Sequence, residues 1–257
     1  MTESPAWRSD VTVVIAHPRE PLIWFHRGIN PAPRLDLDGY VWFPDVSPVL
    51  TQMRSRWRID AIVIRCLDFR YDKDEQQIWL TFLVQPRTDE MPEDGRWLPI
   101  TGVEPSDEAE DHTWPLVATV LRDPTGPASR TRRPWAERGW YEEAVAWVED
   151  APRAGGLELT APPEQLRTWG LSTVIRFGTS TGDAYFKAAV FTGPGSAEDD
   201  RGPSFLFANE AALLSGLTAR FPDHLPVPIA VDPERVWMLL LDAGSFLADC
   251  RDIDVWE

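Results

Sequence analysis

At 257 residues the chain has room for one large or two ordinary domains, and 43% hydrophobic with 26% charged residues is the composition of a globular protein, not of a disordered one. The formal net charge of −16 falls on both halves and repels phosphodiester backbones and anionic lipid, which disfavours nucleic acid and membrane surfaces as partners. Two cysteines, Cys66 and Cys250, argue against a disulfide framework; the N-terminus has neither the basic start nor the apolar core of a signal peptide, and no apolar run reaches membrane-spanning length, so the cytoplasm is the expected compartment.

In the first half, Val11–Ala16 and Leu22–His26 read as two strands of a hairpin across a Pro-containing turn. Ser47–Trp57 carries Val49, Leu50, Met53 and Trp57 at helical spacing, with Ser47 as a candidate cap and Pro48 in the first turn. Asp60–Leu67 and Gln77–Val84 flank a polar turn and read as an antiparallel pair. The acidic stretch Glu104–Asp111 is expected to be a solvated loop, and His17, His26, His112 and His224 are too scattered to suggest zinc. No metal ligand is named. A breaker-rich loop from Arg122 to Pro134 precedes a helix whose Trp140, Ala144, Trp147 and Val148 form one large apolar face, expected to pack between the domains. The Ala-Gly-Gly run ending at Gly156 closes it. The expected division is therefore residues 1–121, a loop and linker helix over 122–156, and a second domain over 157–257.

In the second half, Gln165–Trp169, Thr173–Gly178 and Ala184–Phe191 read as an antiparallel series, with Gly182 as a turn residue between the last two. Lys187 stands out there. Only two of the 25 basic residues are lysines, and this one lies inside an apolar strand. A compact ammonium, unlike a flat guanidinium fork, suits a phosphate contact, although a lysine snorkelling from an edge strand fits the same pattern. Period-two alternation puts Tyr185 and Lys187 on one face and Phe186 and Ala188 on the other. A helix follows with Phe207, Ala211, Leu214 and Leu217 as its apolar stripe. Glu210 lies beside that stripe and can point back to the sheet or into water. Two more strands surround the Asp-Pro-Glu-Arg turn ending at Arg235.

Tyr185-Phe-Lys187, Asn209-Glu210, Val227-Pro228 and Leu239–Gly244, in this order over residues 185–244, resemble the N-terminal lobe of the aminoglycoside-phosphotransferase-like kinases. The resemblance implies an ATP site in which Lys187 holds phosphates, Glu210 pairs with Lys187, and the Leu241, Asp242 and Ala243 hinge meets adenine. Tyr185 shares the Lys187 surface. Trp169–Thr173 stands where a phosphate loop is expected, with Ser172 and Thr173 as candidate phosphate donors, but it holds a single glycine. Full-length relatives transfer the γ-phosphoryl group of ATP to a small-molecule hydroxyl through a second lobe with a His-x-Asp loop, and magnesium is expected only with that lobe. No His-x-Asp triplet occurs in this sequence, so no catalytic residue is named. The expectation is a fragment or truncated product of such an enzyme, inactive as given. The alternative is a non-catalytic interaction or regulatory protein in which Lys187 and Glu210 form a structural ion pair.

The first half is similar in element order to a Nudix hydrolase domain. Its Nudix box is missing: residues 43–57 contain one acid, Asp45, where a metal-binding carboxylate cluster is required. The expected fold class is thus α+β, a Nudix-like α/β/α-type module without its box followed by a protein-kinase-like small lobe of antiparallel sheet with one helix.

Overall fold

Apolar alternation builds the first sheet. In β1 (Arg8–Ile15), Val11, Val13 and Ile15 are fully buried on one side, as the two-residue period of a strand against a core requires. The computed structural model describes residues 6–26, 32–88, 91–99, 133–137, 139–155, 158–189, 210–221, 225–226, 228–242 and 244. The 193–203 loop, the Glu104–Asp111 stretch, Phe207, Asn209, Val227, Ala243 and Cys250 lie outside the described residues.

With β2 (Leu22–His26) set aside, the first sheet runs β3 (Arg34–Asp38), β1, β5 (Gln77–Pro86), β4 (Ala61–Asp72); β1 is antiparallel to β3 and parallel to β5, and β4 is antiparallel to β5. Helix α1 (Ser47–Trp57) buries Val49, Leu50, Met53 and Trp57 in the same core as Val11, Val13, Leu80 and Phe82. Burial of each such aliphatic side chain stabilises by roughly 1.5–3 kcal/mol. Pro48 sits in the helix's first turn, and Arg58, at φ 56°, ends it in the left-handed region with its N–H on the Arg54 carbonyl at 3.1 Å. Ser47 is not the cap. Val46 occupies that position without a side-chain hydrogen bond, and the Asp45 carboxylate accepts the Ser47 N–H instead.

The β4–β5 pair forms as read, its turn fixed by Asp72 Oδ1 accepting the N–H groups of Asp74 and Glu75. The expected β1–β2 hairpin does not form. One bridge, Ala16 to Ile23, begins it, and β2 then pairs antiparallel with β6 (Gly95–Pro99) in a separate two-stranded sheet. β5 takes one edge of β1 along its whole length, and β3 takes the other over Arg8–Thr12, which limits β2 to the end of the strand.

The chain divides into two compact units, Met1–Glu143 with Gln165–Thr173, and Ala144–Glu164 with Val174–Glu257. In this division residues 165–173 go with the first unit, whereas the sequence reading places them after its boundary at residue 157. Their attachment to the first unit is specific. Buried Gln165 accepts the Val63 N–H at 2.8 Å and donates to the Val63 carbonyl at 3.0 Å, beside a register shift in β4. Val46 N–H donates to the Leu166 carbonyl at 3.0 Å and Thr168 N–H to the Pro44 carbonyl at 2.9 Å.

The remaining sheet runs β10 (Pro228–Asp232), β11 (Trp237–Leu241), β9 (Gly182–Ala189), β8 (Ser172–Thr179), β7 (Glu164–Thr168). The β8–β9 turn uses Gly182 at φ 126°, a conformation open to glycine, with Thr179 Oγ1 donating to its carbonyl at 2.6 Å. In the second unit, Phe177, Phe186 and Trp237 are buried, and Trp147 of α2 (Trp140–Gly155) meets Phe186 and Trp237 edge to face at 5.8 and 5.7 Å. The last helix, α3 (Glu210–Thr218), packs on β10. Its apolar stripe is not buried as expected: Leu214 is half-buried, Leu217 is 42% exposed and the neighbouring Leu213 is 58% exposed. The architecture is α+β and rich in sheet. Among the described residues no helix is long and apolar enough to cross a membrane.

Gln165→Ala should lower the unfolding free energy by about 2–3 kcal/mol, because it strands a buried backbone N–H and carbonyl together. Gln165→Glu should cost at least as much, since a carboxylate cannot donate to Val63. Urea unfolding of the three proteins measures both effects.

Candidate functional site

The functional face of the second unit follows from strand alternation. Ala184, Phe186 and Ala188 of β9 are buried, whereas Asp183, Tyr185 and Lys187 lie half-buried on the other side. Register carries that side onto β11, where Met238 stands opposite Lys187 and Leu240 opposite Tyr185. Lys187 thus emerges from an apolar strand with Met238 beside it. A cation in such a place needs a counter-charge, because partial burial strips its hydration. Glu210, the first residue of α3, supplies it. Its two carboxylate oxygens accept from Lys187 Nζ at 2.6 and 2.7 Å, and the side chains are 23% and 31% exposed. At the helix N-terminus the carboxylate is also favoured by the exposed N–H groups of the first turn.

Other charges share this neighbourhood. Arg176 of β8 hydrogen-bonds Glu164 and lies 3.6 Å from the Asp183 carboxylate. Asp242, just past β11, donates its backbone N–H to the Asp183 carbonyl at 3.1 Å and accepts the Gly244 N–H on Oδ1 at 3.0 Å. Burial, then the Asp242 and Asp183 carboxylates, hold the Tyr185 hydroxyl above its ordinary pKa, against a lowering contribution from Arg176. The face therefore presents one ammonium, one guanidinium, a neutral phenol and carboxylates around an apolar patch. It can hold a polar ligand by electrostatic positioning.

Of the residues expected from sequence, Lys187, Glu210 and Tyr185 come together with Asp242 nearby, and Leu241 is half-buried at the end of β11, paired with Ala184. Ser172 and Thr173, the candidate phosphate donors, lie apart from the Lys187 pair in the division of the chain. Both belong to the first unit and are buried; Ser172 Oγ accepts the Trp169 indole N–H at 2.8 Å, and Thr173 Oγ1 donates to the Arg167 carbonyl at 2.9 Å. The Thr173 hydroxyl proton is thereby engaged, whereas Ser172 accepts and keeps its own proton. Arg176 and Asp183 were missed. The signal was available: Asp183 is two alternations from Lys187, and the tight Gly182 turn brings β8 back beside it.

In the first unit, the one acid of the 43–57 stretch, Asp45, is half-buried opposite Arg167. Burial raises its pKa, partly opposed by Arg167 and the Ser47 N–H. Among the described residues no group of three or more His, Cys, Asp or Glu side chains could hold a metal ion. Cys66 lines a cavity of about 350 Å³ with Phe43, Trp135 and Trp169. Burial pushes its thiol up to about 12, and its Sγ donates to the Asp68 carbonyl at 3.2 Å.

No family model and no curated protein matches the chain. A crystal structure of a Sinorhizobium meliloti 1021 protein, provisionally described as an oxidoreductase, is similar over 45% of this chain and 37% of that chain, at 11% identity and a TM-score of 0.31. A likeness of that size carries no weight for fold or function.

A double-mutant cycle of Lys187→Met and Glu210→Gln should give a coupling of about 1–2 kcal/mol in urea unfolding, between the values of exposed and buried charge-assisted hydrogen bonds. Cys66 should resist iodoacetamide at pH 8 in a Cys250→Ser background and react readily in denaturant, because its thiolate is suppressed only while folded. The same raised pKa means that stability held below the unfolded thiol's value near 9.0 declines as the pH climbs toward 12. Mass spectrometry of the alkylated protein follows the reaction.

Proposed function

We propose that the Lys187 face of the second unit is a nucleotide site, built as the ATP-binding small lobe of an aminoglycoside-phosphotransferase-like kinase acting in the cytoplasm. The observation supporting this reading is the two-pronged Lys187–Glu210 ion pair between a strand interior and the first turn of a helix. In phosphoryl transfer the protein contributes mainly positioning and electrostatic stabilisation, and a lysine held by a helix glutamate is the element that fixes a cation on nucleotide phosphates. Glu210 holds the ammonium in place; the half-buried Leu240 and Leu241 offer apolar surface for a base. Bound ATP would supply the γ-phosphoryl group for transfer to a small-molecule hydroxyl. No His-x-Asp triplet is present in the sequence, so the reading covers nucleotide binding and assigns no base and no magnesium ligand. The first unit, in this reading, is a Nudix-like module that binds or scaffolds without hydrolysing.

A second reading has its own support. Glu210 places both oxygens on Nζ and so satisfies both charges without a ligand. In that case the pair is structural and the chain is a non-catalytic interaction or regulatory protein.

Calorimetric titration of ATP with magnesium separates the two. The nucleotide reading expects saturable binding to the chain, at least tenfold weaker in Lys187→Ala. Absent binding, or equal binding by both proteins when circular dichroism shows them folded, selects the structural pair.

A further inference from the structure

In a chain with 41 acids and 25 basic residues, three arginines line one cleft of the first unit. The cleft, about 730 Å³, lies at the C-terminal end of α1. Arg34 comes from β3, Arg56 and Arg58 flank Trp57 at the end of α1, and His26 closes β2. Glu93 and Asp94 also line it, leaving a formal surplus of one positive charge (three arginines less two acids) in a chain of net charge −16. Among the described residues, no side-chain hydrogen bond or ion pair engages Arg34, Arg56 or Arg58, and Arg34 acts on the Asp10 carboxylate only through space. Four arginines elsewhere do form ion pairs: Arg54 and Arg87 with Asp60, Arg70 with Asp68, Arg176 with Glu164.

Helix polarity explains part of this. Cations in the last turn of a helix are favoured by the carbonyl end, which accounts for Arg56. It does not account for Arg34, which arrives from a strand, nor for Arg58, which holds a left-handed backbone at φ 56° where glycine or asparagine is the cheaper residue. All three residues are exposed, so their guanidinium groups are open to an anion from solvent.

A second observation comes from the aromatic wall. His26 Nδ1 is buried and has no hydrogen-bond partner, and the nearest charge, Asp94 Oδ2, stands at 3.7 Å. The His26 ring lies between Trp24 and Trp57, at 5.4 and 6.1 Å. The cleft thus combines an apolar, ring-lined wall with forked donors, the pairing that small charged organic ligands need.

We propose that this cleft binds a small phosphate-bearing molecule, with the guanidinium groups of Arg34, Arg56 and Arg58 as its oxyanion contacts. Planar five-donor forks match phosphate oxygens two at a time, which favours phosphate over a single carboxylate. The inference does not rest on the nucleotide reading of the second unit.

The test is calorimetry of inorganic pyrophosphate into the full chain at low and moderate salt. Saturable binding that weakens with salt is expected, with a loss of at least tenfold in Arg34→Gln/Arg56→Gln, two exposed positions whose replacement leaves the core intact. Arg54→Gln removes a charge from the same helix outside the cleft and is expected to change binding less than twofold. The proposal is overturned if the chain shows no saturable binding, if Arg54→Gln loses as much as the double variant, or if the loss occurs in Lys187→Ala while the double variant binds normally.

Discussion

A β-strand cannot place neighbouring side chains on the same side, and β9 turns that constraint into the organisation of the second unit. Asp183, Tyr185 and Lys187 stay half-buried and polar, while Phe186, between the last two, enters an aromatic cluster with Trp147 and Trp237. The cluster fixes the strand. The strand then holds the ammonium with little freedom, and Glu210 only has to reach it from one helix end. A single-residue slip would bury the lysine and expose the phenylalanine, so core packing and site geometry are specified by the same register.

The use of cations follows the same division of labour. Arginine serves wherever a flat group must lie on a ring, as Arg87 over Tyr141 at 5.2 Å, Arg167 over Trp42 at 5.5 Å and Arg235 over Trp237 at 4.9 Å, contacts of roughly 0.5–1 kcal/mol at exposed sites. It also pairs through single nitrogens with Asp60 and Asp68. Lysine appears where one nitrogen must satisfy two oxygens of a single carboxylate at 2.6 and 2.7 Å. The guanidinium-lined cleft of the first unit and the ammonium of the second are accordingly different kinds of charge, suited to different geometries.

Much of this was legible in the sequence wherever a local rule acts alone. The β4–β5 pair, the Gly182 turn, the Val49–Trp57 stripe and the Tyr185–Lys187 face each follow from periodicity and turn chemistry within a dozen residues. What escaped depends on distant partners. The β1–β2 hairpin gave way because β3 and β5 competed for the same strand edges, and no local signal records that contest. Ser172 and Thr173 were chosen because their types suit phosphate; the Trp169 indole and the Arg167 carbonyl that engage their hydroxyl oxygens were not legible beforehand. Ser47 lost the cap position to Val46, and its N–H is taken by the Asp45 carboxylate. The arginine cleft gathers residues from three separated segments, none of which carries a motif.

Gln165 acts as a substitute peptide group: its amide presents one donor and one acceptor to Val63, as a neighbouring strand's backbone would, from 102 residues away in the chain. Synthesis from the N-terminus therefore exposes the register break in β4 long before the segment that satisfies it exists. The first unit cannot complete its hydrogen bonding until residues 165–173 have left the ribosome, by which time residues 144–164 of the second have already been made. The two units are thus interleaved along the chain, and their synthesis overlaps.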